Sequence, residues 1–353
     1  MTRRRRVTIL LAALGGFVAF LWLQRGPLPL RHELTRFLWQ EGIPGVALAI
    51  HSADGAEETL EIGRLSDGET PVRRDTLFSI ASLSKPLTAA AVRRLIAFGR
   101  VRLDDRLSDV LSGVRFDSDS RLGMVTIGQL LQHTGGMSGN GIDDPLFRAG
   151  RVVGCDAAIQ GEVQRAGWPA GERSVYSNVG YCLLGTALAH AAQEPYAAAV
   201  ADLLHFDPND SRLVYGFPRT REDNGASAHA SLPTDSYTLL GAAGGWFSDA
   251  RTLARVLAED VADATRFDQI ALPAPAVAGR GWHYGLGWRV PHEYPGMLSH
   301  FGFLPGTFAI AVAVRGRGVS VALFSGSPED PESAARKLVP VLSNALRVER
   351  SWH

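Results

Sequence analysis

The chain has 353 residues, 46% of them apolar and 20% charged, enough to bury one large core or two modest ones and too apolar for a disordered polypeptide. Basic and acidic residues number 36 each; without the run Arg3 to Arg6 the count is 32 against 36, a formal net of −4, which excludes the basic surface that nucleic acid requires. Two cysteines, Cys155 and Cys182, exclude a disulfide-stapled scaffold and a four-cysteine zinc site.

The N-terminus differs in character from the rest of the chain. A basic segment, 1–6, precedes the uncharged stretch Val7 to Leu23, which Gln24 and Arg25 close. At 17 residues this is short for a transmembrane anchor and long for a signal-peptide core. No Ala-x-Ala site comes after it, and Trp22 stands where an interfacial anchor would, which favours an uncleaved anchor. The arginines would then hold the N-terminus inside and leave the remainder outward. A linker, 24–30, leads into one domain over 31–348.

Within that domain the pattern is mixed. An amphipathic helix is expected over 31–41, a buried strand over Gly45 to His51, and a second strand over Thr59 to Gly63 after the Asp54-Gly55 turn. Ser82 to about Phe98 reads as a helix with Pro86 in its first turn. Further helices are expected over Thr126 to His133, Val179 to Ala192 and Ala250 to Glu259. Strands return over Tyr284 to Val290, Thr307 to Val314 and Val319 to Ser325, before a last helix, Pro331 to Leu346. The fold class is therefore α/β (α+β): a sheet region of about 31–100 and 280–348, flanked by helices, with an inserted, mainly helical region of about 101–279.

The chemistry begins at Ser82-Leu83-Ser84-Lys85. Residues three apart share a helix face, so the Ser82 hydroxyl and the Lys85 amine can meet. A serine needs a neighbour to take its proton, and lysine does so only when burial or nearby positive charge lowers its pKa. Arginine could not replace it. Lysine is scarce here, Lys85 and Lys337 being the only two. The competing reading is a solvated lysine on a helix surface, against which the flanking apolar residues argue.

Phe78-Ser-Ile-Ala-Ser-Leu-Ser-Lys85 resembles the nucleophile segment of the serine β-lactamase and penicillin-binding-protein superfamily, in the branch holding class C β-lactamases, related esterases and D-peptidases. Thr126-Ile-Gly-Gln-Leu-Leu-Gln-His-Thr-Gly-Gly136 is similar to a helix and turn of that branch. Tyr176-Ser177-Asn178 resembles its Tyr-x-Asn motif. Gly244-Gly245-Trp-Phe-Ser248 and Tyr284-Gly-Leu-Gly-Trp288 resemble later landmarks, and His300-Phe301-Gly302 stands where the third motif belongs. The resemblance spans about residues 31–345 and implies a β-lactamase-like antiparallel sheet.

It implies that Ser82 is acylated, with Lys85 its proton partner and Tyr176 a shuttle to the leaving group and from water; a phenol serves there only if cationic neighbours lower its pKa. Otherwise Tyr176 is a half-buried tyrosine with a satisfied hydroxyl. Asn178 is expected to bind substrate or Lys85, or to cap the helix beginning at Val179. The third motif departs from the lactamase Lys-Thr-Gly, in which a cation faces a substrate carboxylate. His300 is largely neutral at pH 7, so esters or D-amino-acid-type amides are favoured over penicillins. Gly302 would let its strand approach the substrate, and the Phe303 and Ser82 amides would form the oxyanion hole. His300 could instead be an edge-strand histidine without chemistry.

There is no Gly-x-Ser-x-Gly elbow, His-Glu-x-x-His helix or Walker loop. His133 is read as fixing its turn, Cys182 as a small buried residue, and Cys155 as a loop residue whose pairing with Cys182 the sequence leaves open. Trp246, Trp282 and Trp288 are read as core before pocket. The expectation is a serine hydrolase acting on an ester or amide bond of a small molecule or peptide, with no metal, no cofactor and no nucleic-acid partner. It would sit at the inner membrane through its N-terminal segment, facing the periplasm or the exterior, or be secreted if that segment is a signal peptide and is cleaved. The alternatives are a β-lactamase or D-alanyl-D-alanine carboxypeptidase and, from another class, a non-turnover penicillin-binding sensor or binding module.

Overall fold

The computed structural model describes residues 28–112, 121–137, 139, 144–148, 150–163, 167–207, 212–218, 228–273 and 281–346. The expected basic segment and membrane anchor lie outside these residues. Among the described residues no helix is long and apolar enough to cross a membrane.

The strands in chain order are β1 (Gly45–Ser52), β2 (Glu57–Gly63), β3 (Leu77–Ser79), β4 (Phe147–Arg148), β5 (Arg151–Val152), β6 (Leu213–Tyr215), β7 (Ala228–His229), β8 (Trp246–Ser248), β9 (Trp282–Tyr284), β10 (Arg289–Pro291), β11 (Met297–Leu304), β12 (Thr307–Val314) and β13 (Gly318–Phe324). The helices are α1 (Leu28–Glu41), α2 (Ser84–Ala97), α3 (Leu107–Val110), α4 (Ile127–Leu131), α5 (Cys155–Val163), α6 (Asn178–Ala192), α7 (Tyr196–Leu203), α8 (Thr234–Leu239), α9 (Gly241–Gly244), α10 (Ala250–Val261), α11 (Ala264–Ala271) and α12 (Pro331–Ala345).

An antiparallel sheet of seven strands, ordered β2-β1-β13-β12-β11-β10-β9, joins the N-terminal strands to the C-terminal ones through the β1 and β13 pair. Alternation along the strands gives the sheet two buried faces. Val46, Leu48 and Ile50 of β1 and Phe308, Ile310 and Val312 of β12 pack with residues of α1 and α12, including Phe37 and Leu338. The opposite face carries small side chains, Ala47, Ala49, Ala309, Ala311 and Ala313, within the larger core. Their small size lets α10 lie directly on β1 and β13. Thus α10, although inside the expected helical insertion, serves as a layer of the sheet region. The insertion also holds strands: β6, β7 and β8 join β3, which precedes the insertion, in a second sheet of four.

Several expectations need correction. Tyr284 to Val290 is not one strand; β9 and β10 flank a turn, because Gly285 and Gly287 interrupt the run. A Cβ on Gly285 would lie 2.0 Å from the Ile270 carbonyl oxygen, and Gly287 has φ +91°. The helix expected from Ser82 begins instead with a 3₁₀ turn, Ala81 to Leu83, and α2 starts at Ser84, which keeps Pro86 in its first turn. Cys155 opens α5 rather than lying in a loop, and Cys182 is not a lone buried thiol: the two form a disulfide joining α5 to α6. His300 lies on β11, an internal strand between β10 and β12, not on an edge.

Candidate active site

The 3₁₀ turn carrying Ser82 is wedged between the two sheets. Ile80 N donates to the Trp246 carbonyl at 3.0 Å and Trp246 N donates to Ser84 Oγ at 3.3 Å, tying the turn to β8. Ala81 has φ +44°, a conformation unfavourable to an L side chain and held here by the surrounding structure. On its other side β11 approaches so closely that a Cβ on Gly302 would lie 2.3 Å from the Ile80 carbonyl oxygen and 2.8 Å from Ser82 N. Gly302 thus serves close approach of two backbones. The approach brings the Ser82 turn beside Phe303, whose side chain is 38% exposed and lines the reactive cavity.

Lys85 is fully buried on α2. Its Nζ lies 3.1 Å from Ser82 Oγ and donates to Asn178 Oδ1 at 2.7 Å and to the Ala243 carbonyl at 2.8 Å. A neutral amine has two N–H bonds and one lone pair. The two carbonyl oxygens accept the N–H bonds, which directs the lone pair at the Ser82 hydroxyl. Burial pushes the Lys85 pKa down to about 7, while Asp144 opposes the fall. The rings of Tyr176 and Tyr181 stand 4.8 and 5.6 Å from the amine, giving the charged form a partial counterweight.

Tyr176 shares a hydrogen bond with Ser82. The expected cationic lowering of this phenol is not what dominates: burial raises its pKa above the ordinary tyrosine value, with the Ser82 bond and Arg289 acting in the opposite direction. Tyr176 is therefore a protonated phenol near neutrality, and Lys85 is the group poised to accept a proton. Asn178 is not the cap of α6. Ser177 fills that role, accepting from Gly180 N at 3.2 Å, which leaves the Asn178 amide to Lys85.

His133 fixes more than its own turn. Its carbonyl accepts from Val175 N at 2.9 Å and its Nδ1 accepts from Ser177 N at 3.1 Å, so it holds the backbone on both sides of Tyr176. Its ring packs 4.4 Å from that of Tyr176. His300 is likewise drawn inward. It is buried, Tyr284 Oη donates to its Nε2 at 2.6 Å, and its Nδ1 donates to the Phe301 carbonyl at 2.9 Å. Burial, then Arg289, hold its pKa well below the ordinary histidine range. Both ring nitrogens are engaged within the protein, so this neutral imidazole braces Tyr284 and β11.

The cavity over Ser82 has a volume of about 830 Å³. Ser82, Asp144, Tyr176, Asn178, Arg289 and Glu332 line it, with Leu146, Phe147, Leu232 and Leu304 supplying apolar wall. Arg289 Nη1 donates to Glu332 Oε1 and Oε2 at 2.9 and 2.8 Å. Its guanidinium lies 4.4 Å from the ring centroid of Trp282 and 4.5 Å from that of Phe301. Of the three tryptophans read as core, Trp246 and Trp288 are buried, whereas Trp282 is half-buried and supports Arg289. Asp144, Arg289 and Glu332 escaped the sequence reading because no motif or periodicity marks them. Among the described residues no group of three or more His, Cys, Asp or Glu is placed to hold a metal ion.

A model of the family described as Beta-lactamase matches residues 30–343. Penicillin-binding protein 4 of Amycolatopsis lactamdurans is 33% identical over 165 residues, covering 46% of this chain and 42% of that protein. Esterase EstB of Burkholderia gladioli is 43% identical over 76 residues, covering 21% of this chain and 19% of the esterase. These matches span less than half the length of either relative. Among solved structures, the β-lactamase/D-alanine carboxypeptidase of Yersinia pestis superposes with a TM-score of 0.73 at 19% identity, covering 92% of this chain and 100% of that one. The D-amino acid amidase of Ochrobactrum anthropi superposes with a TM-score of 0.67 at 19% identity, covering 90% and 99%.

Proposed function

The chain belongs to the beta-lactamase family, and from that premise we propose that it is a serine hydrolase cleaving esters or D-amino-acid-type amides through an acyl-enzyme on Ser82. The observation that carries the reading is the set of contacts of buried Lys85 Nζ, to Ser82 Oγ and to the two acceptors Asn178 Oδ1 and the Ala243 carbonyl, from which the lone pair of the neutral amine is left to Ser82. Neutral Lys85 takes the Ser82 proton as Oγ attacks the substrate carbonyl carbon, and the oxyanion forms against the Ser82 and Phe303 amides. Tyr176 donates its proton to the departing alcohol or amine and is reprotonated from Lys85. Water then attacks the ester on Ser82, its proton passing to the same pair and from there to the departing Ser82 Oγ, and the acid and free Ser82 are released.

The cavity chemistry supports neutral or cationic substrates over carboxylates. Arg289 is a cation in the wall, but Glu332 accepts two of its hydrogen bonds, and Asp144 and Asp330 add negative charge to the lining. A β-lactam carboxylate would meet an arginine already neutralised. The D-amino acid amidase and esterase among the similar proteins are in keeping with this preference.

The Arg3 to Arg6 run and the apolar stretch Val7 to Leu23 would hold the domain outside the inner membrane. The Cys155–Cys182 disulfide supports that placement, since such bonds persist in oxidising compartments. Fractionation of the full chain against one lacking residues 1–25 tests it; recovery of both in the soluble fraction would sink it.

Activity is tested with wild type and Ser82→Ala on a chromogenic short-chain ester, a D-amino acid amide and a chromogenic cephalosporin, with the acyl adduct weighed by intact-protein mass spectrometry. Ser82-dependent ester or amide turnover is the expected result. Turnover of cephalosporin alone would replace this reading with that of a β-lactamase, and an adduct that never clears would replace it with a non-turnover binder.

A further inference from the structure

Asn178 can present either its oxygen or its nitrogen to Lys85, and the two choices have opposite chemical consequences. With the oxygen facing the amine, Lys85 donates to it and keeps its lone pair for Ser82. With the nitrogen facing the amine, an N–H would bind that lone pair and disarm the base. Something outside the pair must therefore set the amide, and the neighbouring side chain is Asp144. It is buried, at 3% exposure, in the wall of the reactive cavity. Asn178 Nδ2 donates to Asp144 Oδ2 at 2.5 Å, and Leu146 N donates to Oδ1 at 2.9 Å, fixing the carboxylate in turn. A carboxylate accepts hydrogen bonds and offers none, so it admits only the Asn178 orientation with the oxygen toward Lys85.

We propose that Asp144 is a positioning residue for acyl transfer: through Asn178 it fixes the direction of the Lys85 lone pair, and it is the buried counter-charge one amide away from that amine. The inference rests on the proposed roles of Ser82 and Lys85. Asp144 is the acid acting on Lys85 among the described residues. The other groups around the amine are Ser82 from the 3₁₀ turn, Tyr176 before α6, and Asn178 and Tyr181 on α6. His133 and His300 lie within its electrostatic reach, and burial keeps both neutral near pH 7. Arg289 acts on the same two histidines and on Tyr176. With the histidines and phenols uncharged, Asp144 is the counter-charge that holds the Lys85 pKa up against burial.

Two substitutions separate the roles. Asp144→Asn keeps the shape and can still offer an oxygen to Asn178 Nδ2, but removes the charge. Asp144→Ala removes both. The readout is the pH dependence of Ser82 phosphonylation by a small fluorophosphonate, in which Oγ displaces fluoride at phosphorus, in a chain shown by circular dichroism to be folded. Loss of an opposite charge lowers a lysine pKa, so the acid limb for Asp144→Asn is expected ~1 pH unit lower than in wild type, with the plateau rate within about tenfold. For Asp144→Ala the plateau is expected to fall ~100-fold, as misdirection of a reacting group does, and added formate should restore part of it. Coincident acid limbs for wild type and Asp144→Asn would overturn the proposal, as would a wild-type plateau in Asp144→Ala. Failure of wild type to label at all would instead overturn the nucleophile reading on which the proposal stands.

Discussion

Glu332 accepts two hydrogen bonds from Arg289 across the wall of the reactive cavity, at 2.9 and 2.8 Å. The pair is shielded on its arginine side, where Trp282 and Phe301 cover the guanidinium. Both bonds leave from Nη1, so Glu332 offsets the guanidinium charge that a substrate carboxylate would meet without using up its N–H donors. Glu332→Gln is therefore expected to lower KM for a carboxylate-bearing ester ~3- to 10-fold while leaving KM for a neutral ester of the same acyl group nearly unchanged, since a charge-assisted bond is regained only by the former. The ratio of the two KM values is the quantity to follow, and an unchanged ratio would sink the assignment of Arg289 as a masked cation.

The acid limb of the pH profile should belong to Lys85. Only its neutral form accepts the Ser82 proton, and burial brings its pKa down to about 7. Below that pH the amine is charged and kcat/KM falls about tenfold per pH unit; above it the rate levels off. Burial raises Tyr176 above the ordinary tyrosine range, so no alkaline fall from this phenol is expected until well beyond pH 9. A limb centred between pH 4 and 5 would point to a carboxylate base instead.

The nucleophile segment was legible because its chemistry is local: Ser82 and Lys85 meet through helical spacing, and Tyr176 and Asn178 belong to one short motif. The paired termini of the sheet were legible because β1, β12 and β13 are continuous apolar runs. The Tyr284 to Val290 break was not, since it depends on Ile270 and Ala89 crowding two glycines from distant segments. His300 shows the same limit. Its residue type was visible, but the Tyr284 hydroxyl that turns the imidazole inward is a tertiary partner. Asp144 lies 34 residues from Asn178 in the chain, and no periodic pattern encodes such a contact.

Gly302→Ala tests the approach of β11 to the nucleophile turn. The added Cβ would meet backbone atoms, the Ile80 carbonyl oxygen at 2.3 Å and Ser82 N at 2.8 Å, which cannot rotate away as a side chain could. Either β11 retreats or the turn shifts. We expect a loss of ~1–3 kcal/mol in stability from overpacking, with kcat down ~100-fold because an oxyanion donor is displaced. Denaturant unfolding and ester kinetics on the same preparation check both, and retention of full kcat would show that the turn tolerates the displacement.

Lys85 itself should be a burden on folding. Its pKa is about 7 in the native protein against an ordinary 10.5, so between these values the unfolded chain binds a proton that the native chain does not. Stability attributable to this site then rises with pH across that window, and the penalty is fully present below about pH 7. Lys85→Met removes the buried charge but leaves Asn178 Oδ1 and the Ala243 carbonyl without their donor, an offset of ~1–3 kcal/mol. The variant, inactive, is expected to gain in Tm relative to wild type on moving from pH 9 to pH 6. A difference in Tm that does not change with pH would contradict the buried-base assignment.

The Cys155–Cys182 disulfide closes a stretch of 27 residues, with the Cα atoms 5.2 Å apart. That segment includes Tyr176 and Asn178, so the crosslink constrains the chain on either side of the Tyr-x-Asn motif. Chain-entropy arguments put its contribution at ~2–4 kcal/mol, acting through the unfolded state. Half of the bond, Cys182, is nearly fully buried, and replacing both cysteines by alanine leaves a small apolar gap rather than a new polar group. We expect the double variant to lose that stability in denaturant titration while retaining kcat within about threefold at 25 °C, because the packing of α5 on α6 persists in the folded state. Thermal melts of wild type with and without a strong reductant, matched against the double variant, check the source of the effect. A variant as stable as the oxidised wild type would show that the crosslink contributes nothing to the fold.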